Sequence, residues 1–202
     1  MRQQFIETIK IADGQVLNLP YHQARMTDTI GHFFPSTAVP SLESLLCPTP
    51  CMTLYKARVL YGAQGVEDIQ YSPYTKRVIR SLRIVEDNSI DYPYKSTCRT
   101  RLNQLAAMRG EQDEVIIVKR GFVTDTSFSN IALLEHGRWV TPKHPLLPGT
   151  QRARLLHEGI LQEDDITPER LMQAEAVALI NAMLALGDTV VKPKNIRWRI
   201  AP

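Results

Sequence analysis

Cysteine is scarce: Cys47, Cys51 and Cys98 are the only three in 202 residues. An odd count so spaced gives no disulfide framework, and a reducing cytoplasm fits it. The Cys47-x3-Cys51 pair encloses Pro48 and Pro50 and has no second ligand pair, so no metal site is expected. Long apolar runs are missing too. None approaches the ~20 residues that a membrane span requires. The first twenty residues are broken by Glu7, Lys10 and Asp13, which leaves no signal-peptide core. Charge of one sign is also lacking. A net +3 is too weak to argue for nucleic acid, and the basic run Lys76, Arg77, Arg80 and Arg83 has no aromatic stacking platform beside it. Neither an internal repeat nor a low-complexity linker interrupts the chain.

What remains is ordinary for a soluble enzyme, with 44% apolar and 22% charged residues. The length suits one large domain or two small ones sharing an interface. Phe5 to Ala12 is rich in β-formers, Asp13-Gly14 is a strong turn, and Gln15 to Leu17 returns as a hairpin. Asn18 is placed to cap a helix with Pro20 in its first turn, fading near Phe33 to Pro35. A short helix over Val39 to Leu46, a strand over Met52 to Tyr61 and an extended segment over Val78 to Val85 complete a small α/β lobe, residues 1–85.

A second lobe, residues 86–202, is expected to open with Lys95 and a helix over Thr97 to Arg109, closed by Gly110. Glu114 to Val118 reads as a buried strand, and Lys119-Arg120-Gly121 turns into Phe122 to Thr124. Ile131 to Leu134 and Arg138 to Thr141 form a hairpin across His136-Gly137. A helix after Gly149 holds Ala153, Leu156 and Ile160. Another starts at Thr167-Pro168, and Ala176 to Ile180 is a last buried strand. The fold class is mixed α/β in two lobes.

Lys95 ends an extended segment just before Ser96 and Thr97, both good helix caps. The partial positive charge of a helix start disfavours an ammonium, and burial acts the same way. A lysine so placed is a better nucleophile toward an aldehyde, although a solvated lysine at a strand end is the commoner case. Gly149-Thr150-Gln151 turns into a helix whose backbone N–H groups suit an anion such as phosphate, or simply start a helix. His22 and Arg25 share a helix face, and arginine's planar fork suits phosphate or carboxylate. Asp125 lies among Thr124, Thr126, Ser127 and Ser129, before Asn130. Its carboxylate could meet a protonated ring nitrogen, or the cluster could be a turn built from its own hydrogen bonds.

In order and spacing these motifs resemble the class IV aminotransferase-like family of pyridoxal phosphate enzymes, fold type IV. Phe5-Ile6-Glu7-Thr8-Ile9 is similar to its phenylalanine-glutamate-threonine strand, and Tyr21 to Met26 to its histidine-x-x-arginine-leucine helix. Lys95 falls at the Schiff-base lysine. Val123 to Ile131 resembles the valine-threonine-glutamate-glycine-x-x-serine-asparagine-isoleucine stretch. Leu147 to Arg152 is similar to the phosphate cup, and Asn181-Ala182-Met183 looks most like the lyase branch. Three departures stand out. Asp125 replaces glutamate and is about 1.5 Å shorter in reach. Gln151 replaces threonine in the cup. The chain begins at the family's second strand.

The resemblance implies a small α/β lobe and a larger pseudo-barrel lobe, paired in a homodimer, with pyridoxal 5'-phosphate as cofactor. Lys95 is then the catalytic residue. Arg25, Asp125, Ser129, Asn130, Gly149, Thr150, Gln151, Asn181 and Ala182 are the further cofactor-binding residues, with Asp125 at the ring nitrogen. The substrate carries amino and carboxylate groups. The leading activity is lysis of 4-amino-4-deoxychorismate to 4-aminobenzoate and pyruvate for folate synthesis. A branched-chain or D-amino acid aminotransferase is the alternative, and a catalytically idle ligand-binding relative is the reading from another class.

Overall fold

The computed structural model describes residues 3–198. It divides into two compact units, the first made of residues through Lys76 plus Tyr94–Cys98, the second of Arg77–Pro93 and the residues from Arg99 onward. The expected boundary at residue 85 differs in two places. The segment 77–85 belongs to the second unit, and the segment carrying Lys95 belongs to the first.

In the first unit, β1 (Phe5–Ala12) alternates buried and half-buried residues along its length, the period expected of a strand with one face on a core. It turns at Asp13-Gly14 into β2 (Gln15–Val16), and both turn residues have positive φ (49° and 75°), as a tight two-residue hairpin needs. Helix α1 (Leu19–Phe33) follows. Asn18 precedes it in the left-handed region and makes no side-chain cap bond, so the backbone bend rather than the expected side-chain cap starts this helix. Its buried residues His22, Met26, Thr29 and Ile30 recur at helical spacing. Helix α2 (Leu42–Leu45) is capped by Ser41 and is shorter than the sequence suggests. Strands β3 (Leu54–Gly62) and β4 (Gly65–Pro73) complete a four-stranded antiparallel sheet in the order β2-β1-β3-β4. Phe5, Ile9 and Ile11 pack with Met26, Ile30, Leu42, Ala57, Val59 and Tyr61 in its core.

The second unit holds a nine-stranded sheet. Strand β5 (Leu82–Glu86) runs parallel to β6 (Glu114–Lys119), with α3 (Thr100–Ala107) between them in sequence. Val115 to Val118 are all buried, which explains a continuous apolar run in place of alternation. Strand β7 (Phe122–Thr126) returns across Arg120-Gly121, and β8 (Asn130–Glu135) and β9 (Arg138–Pro142) form the expected hairpin across His136-Gly137. Helix α4 (Thr150–His157) leads to β10 (Leu161–Asp164), so Ile160 lies beyond the helix. Helix α5 (Pro168–Gln173) is capped by Thr167, as expected. Strand β11 (Ala176–Ile180) is wholly buried and pairs with β8 along Asn130–Leu134. Strands β12 (Val190–Val191) and β13 (Ile196–Arg197) add to β11 and β5. No described helix is long and apolar enough to cross a membrane.

Candidate active site

Lys95 is fixed by its neighbours in the first unit. Tyr94 stacks on His32 (4.9 Å between centroids) and meets Phe33 edge-on at 4.8 Å. The Ile6 N–H donates to the Lys95 carbonyl and the Thr97 N–H to the Gln4 carbonyl, both at 3.0 Å. A short piece of extended chain thus lies against β1, with Phe5 opposite Ser96. This corrects the expected start of the next helix. Ser96 and Thr97 do not cap it; α3 begins at Thr100 with Arg99 before it. Thr97 spends its N–H on Gln4, and the Ser96 hydroxyl accepts the Cys98 N–H in a local turn. Lys95 therefore does not adjoin a helix start, and the dipole argument for its reactivity falls. Its half-buried side chain instead contributes its charge to a buried cluster on β1 and α1.

That cluster centres on Glu7, a buried carboxylate on the core face of β1 between Phe5 and Ile9. Arg25 donates from Nε to Oε1 (2.9 Å) and from Nη2 to Oε2 (2.6 Å), and His22 Nδ1 lies 2.6 Å from Oε2. Burial alone would raise the Glu7 pKa. The Arg25 charge and the hydrogen bonds from His22 and Arg25 outweigh it and hold Glu7 down at about 2. His22 is shifted below its usual value by burial first, then by the Arg25 and Lys95 charges, against the pull of Glu7. At neutral pH Glu7 is ionised and His22 is neutral, so His22 donates its Nδ1 proton. Arg25 thus presents a guanidinium fixed along its Nε–Nη2 edge.

The remaining candidates lie in the second unit, and most of them meet. Asp125 and Asn130 face each other across the end of the β7–β8 pair. Asp125 Oδ1 accepts from Asn130 Nδ2 at 2.8 Å, and Oδ2 accepts the Leu147 N–H at 2.9 Å. Asn130 Nδ2 also donates to the Leu147 carbonyl at 2.8 Å. Burial pushes Asp125 up to about 7, against the Leu147 and Asn130 hydrogen bonds and the Arg152 charge. Ser129 turns inward to Thr126, with the two hydroxyl oxygens 2.7 Å apart. The Thr126 hydroxyl accepts the N–H groups of Phe128 and Ser129, so the cluster is a self-bonded turn as well as a carboxylate site.

Gly149 precedes α4 with no side-chain cap bond, and Thr150, Gln151 and Arg152 are buried in its first turn. Arg152 Nη2 ties the carbonyl of Pro142 (2.8 Å) to Glu163 (2.5 Å). Asn181 donates from Nδ2 to the Phe128 carbonyl at 3.2 Å and accepts the N–H groups of Met183 and Leu184 on Oδ1. It therefore shapes its own turn and braces the one at 126–129. Ala182 is half-buried in that turn. Sequence reasoning missed two contributors as site residues. Glu7 could have been found as an acid at a core-facing position of an alternating strand. The Leu147 peptide, which acts through its backbone, leaves no signal of residue type.

Gly149 has φ −74° and ψ 144°, which any residue can adopt. Glycine is required there by packing, because a Cβ would overlap the Asn130 Oδ1 that sits against it. Asn130 is tied at two points and cannot swing away. Gly149→Ala is expected to cost about 1–3 kcal/mol in denaturant unfolding, the usual penalty for overpacking. Adding Asn130→Gly should recover part of it, because the two sites are in contact. Strictly additive losses would refute the contact.

Residues 52–187 match the family model described as amino-transferase class IV. An uncharacterized protein of Haemophilus influenzae is 37% identical over 184 residues, covering 89% of this chain and 97% of that protein. A Schizosaccharomyces pombe protein named "putative aminodeoxychorismate lyase" is 36% identical over 91 residues, 42% of this chain and 39% of that protein. The crystal structure of a "putative 4-amino-4-deoxychorismate lyase" from Haemophilus somnus superposes with a TM-score of 0.86 at 35% identity, covering 92% of this chain and 99% of that one. The chain belongs to the class IV aminotransferase family and has its fold type IV architecture.

Proposed function

We propose that this chain is a pyridoxal 5'-phosphate-dependent lyase that splits 4-amino-4-deoxychorismate into 4-aminobenzoate and pyruvate. The observation that carries the reading is the likeness, over nearly its whole length, to the Haemophilus somnus protein bearing a lyase name. The donor chemistry fits the cofactor's phosphate. The start of α4 has glycine at its cap, so the cap residue makes no side-chain hydrogen bond to the first turn, and a helix start favours an anion. The Thr150 hydroxyl lies in the same buried turn.

In the second unit Thr150 and Gln151 would hold the phosphate; for Arg25 and Lys95, in the first unit, the family resemblance alone implies a phosphate contact and the amine that would anchor the aldehyde end. Bound there, pyridoxal phosphate supplies an electron sink for charge developing on the substrate. Lys95 Nζ then moves the protons, delivering one as the enolpyruvyl group leaves to become pyruvate. The two products together contain every atom of the substrate, so no second substrate is needed. The same reading implies a homodimer working in the cytoplasm.

Purified protein supplied with pyridoxal phosphate and 4-amino-4-deoxychorismate alone is expected to form 4-aminobenzoate and pyruvate in equal amounts. An aminotransferase requires an oxo acid to take the amino group. Transfer to 2-oxoglutarate without 4-aminobenzoate formation would overturn the lyase reading.

A further inference from the structure

The carboxylate that the family pattern assigns to the cofactor's ring has another occupation in this chain. We infer that Asp125 is a positioning residue for the phosphate-binding loop, holding the Leu147 peptide and, through Asn130, Gly149 ahead of α4. The inference rests on the reading above that the start of α4 takes the phosphate.

Both polar groups of the Leu147 backbone are bound by this pair. Its N–H goes to Asp125 Oδ2, and its carbonyl accepts from Asn130 Nδ2. The other proton of that Asn130 amide goes to Asp125 Oδ1. Each carboxylate oxygen thus has an N–H donor, and a buried acceptor that loses its donor costs stability. Asn130 also seats Gly149, where even a methyl group would collide. The pair is itself anchored, since Asp125 and Asn130 are cross-strand partners joined by the self-bonded 126–129 turn.

Aspartate rather than the family's glutamate follows from this arrangement. One further C–C bond, about 1.5 Å, would carry the carboxylate past the Leu147 N–H that it now accepts at 2.9 Å in a buried site. The short side chain is the correct length for the loop.

The test measures dissociation constants of inorganic phosphate, pyridoxal phosphate and phosphate-free pyridoxal for wild type, Asp125→Glu and Asn130→Ala. Hydrogen exchange of the peptide spanning residues 146–150 is followed alongside. Loop positioning predicts that each variant weakens phosphate and pyridoxal phosphate by about ten- to a hundredfold, the worth of one such bond. It also predicts faster exchange over 146–150 and unchanged pyridoxal affinity. A ring contact predicts the reverse: Asp125→Glu restores the family residue, so pyridoxal and pyridoxal phosphate bind as well as before or better, with exchange unaltered. That result would overturn the inference. If Asp125→Glu fails to fold, Asn130→Ala decides alone, and normal phosphate affinity in it counts against the inference. Inorganic phosphate and hydrogen exchange need neither a loaded Lys95 nor a substrate. A protein without lyase activity can still obey these predictions, so failure of the function is separable from failure of the loop assignment.

Discussion

Lys95→Ala is expected to leave a folded protein that develops no visible absorbance with pyridoxal phosphate and has no measurable lyase activity. The backbone of residues 95–97 is held by hydrogen bonds from Ile6 and to Gln4, and Tyr94 is locked among aromatic rings. None of these contacts uses the Lys95 side chain, so circular dichroism and the unfolding midpoint should change little. Loss of proton transfer alone accounts for about 10²–10⁴-fold in rate, and loss of the covalent anchor adds to it. Lys95→Arg sharpens the experiment. It keeps a cation near His22, yet a guanidinium stays protonated and is no nucleophile toward an aldehyde. A Lys95→Arg protein that still turned yellow or retained activity would remove Lys95 from its assigned role.

The largest effect on stability is expected at Glu7. Glu7→Gln keeps the volume but removes the charge that Arg25 and His22 surround, and places an NH2 group or a weaker acceptor against their donors. Arg25, with a side chain only 13% exposed, loses the charge of the carboxylate that binds it through two nitrogens. Breaking a buried pair from one side costs about 3–5 kcal/mol, a large share of the ~5–15 kcal/mol that holds most proteins folded. The acid response gives a second reading. The Glu7 pKa falls from 4.5 to about 2 on folding, so the folded state binds fewer protons than the unfolded one in that interval. The associated stability is present above pH ~4.5 and is lost as pH falls toward ~2, amounting to roughly 3 kcal/mol. Urea titrations across this range should show that loss in wild type and its absence in Glu7→Gln. A cost under about 1 kcal/mol with an unchanged acid limb would show the cluster to be dispensable.

Much of this was legible in the residues, for reasons that particular elements make plain. The three turns at Asp13-Gly14, Arg120-Gly121 and His136-Gly137 each need positive φ at both positions, and that demand is local. Strand β4 escaped notice because it is an edge strand, nearly all half-buried, with Asp68 and Gln70 interrupting Val66, Ile69 and Tyr71. Such a strand lacks the strong alternation of β1. The start of α3 was misplaced because Ser96 and Thr97 have cap chemistry but are claimed by β1, ninety residues earlier in the chain. In the site, Asp125, Asn130 and Gly149 could each be picked out by motif. The joint hold of Asp125 and Asn130 on the Leu147 peptide could not, because it depends on how close β7, β8 and the 146–149 loop come in three dimensions.

The strip around Lys95 also closes a gap in the small sheet. Strand β1 is paired with β3 along its whole length, but on its other side β2 reaches only Ile11 and Ala12. Residues 95–97 cover the far end, at Gln4 to Ile6. An open strand edge invites pairing with other chains. A fragment ending at Lys76 would keep most of the first unit yet expose that edge beside the aromatic side chain of Phe5. It should self-associate when expressed alone, and adding a peptide spanning residues 94–98 should suppress this. The segment that carries Lys95, the proposed cofactor anchor, would thus also guard against aggregation, which constrains how freely the residues around Lys95 can vary.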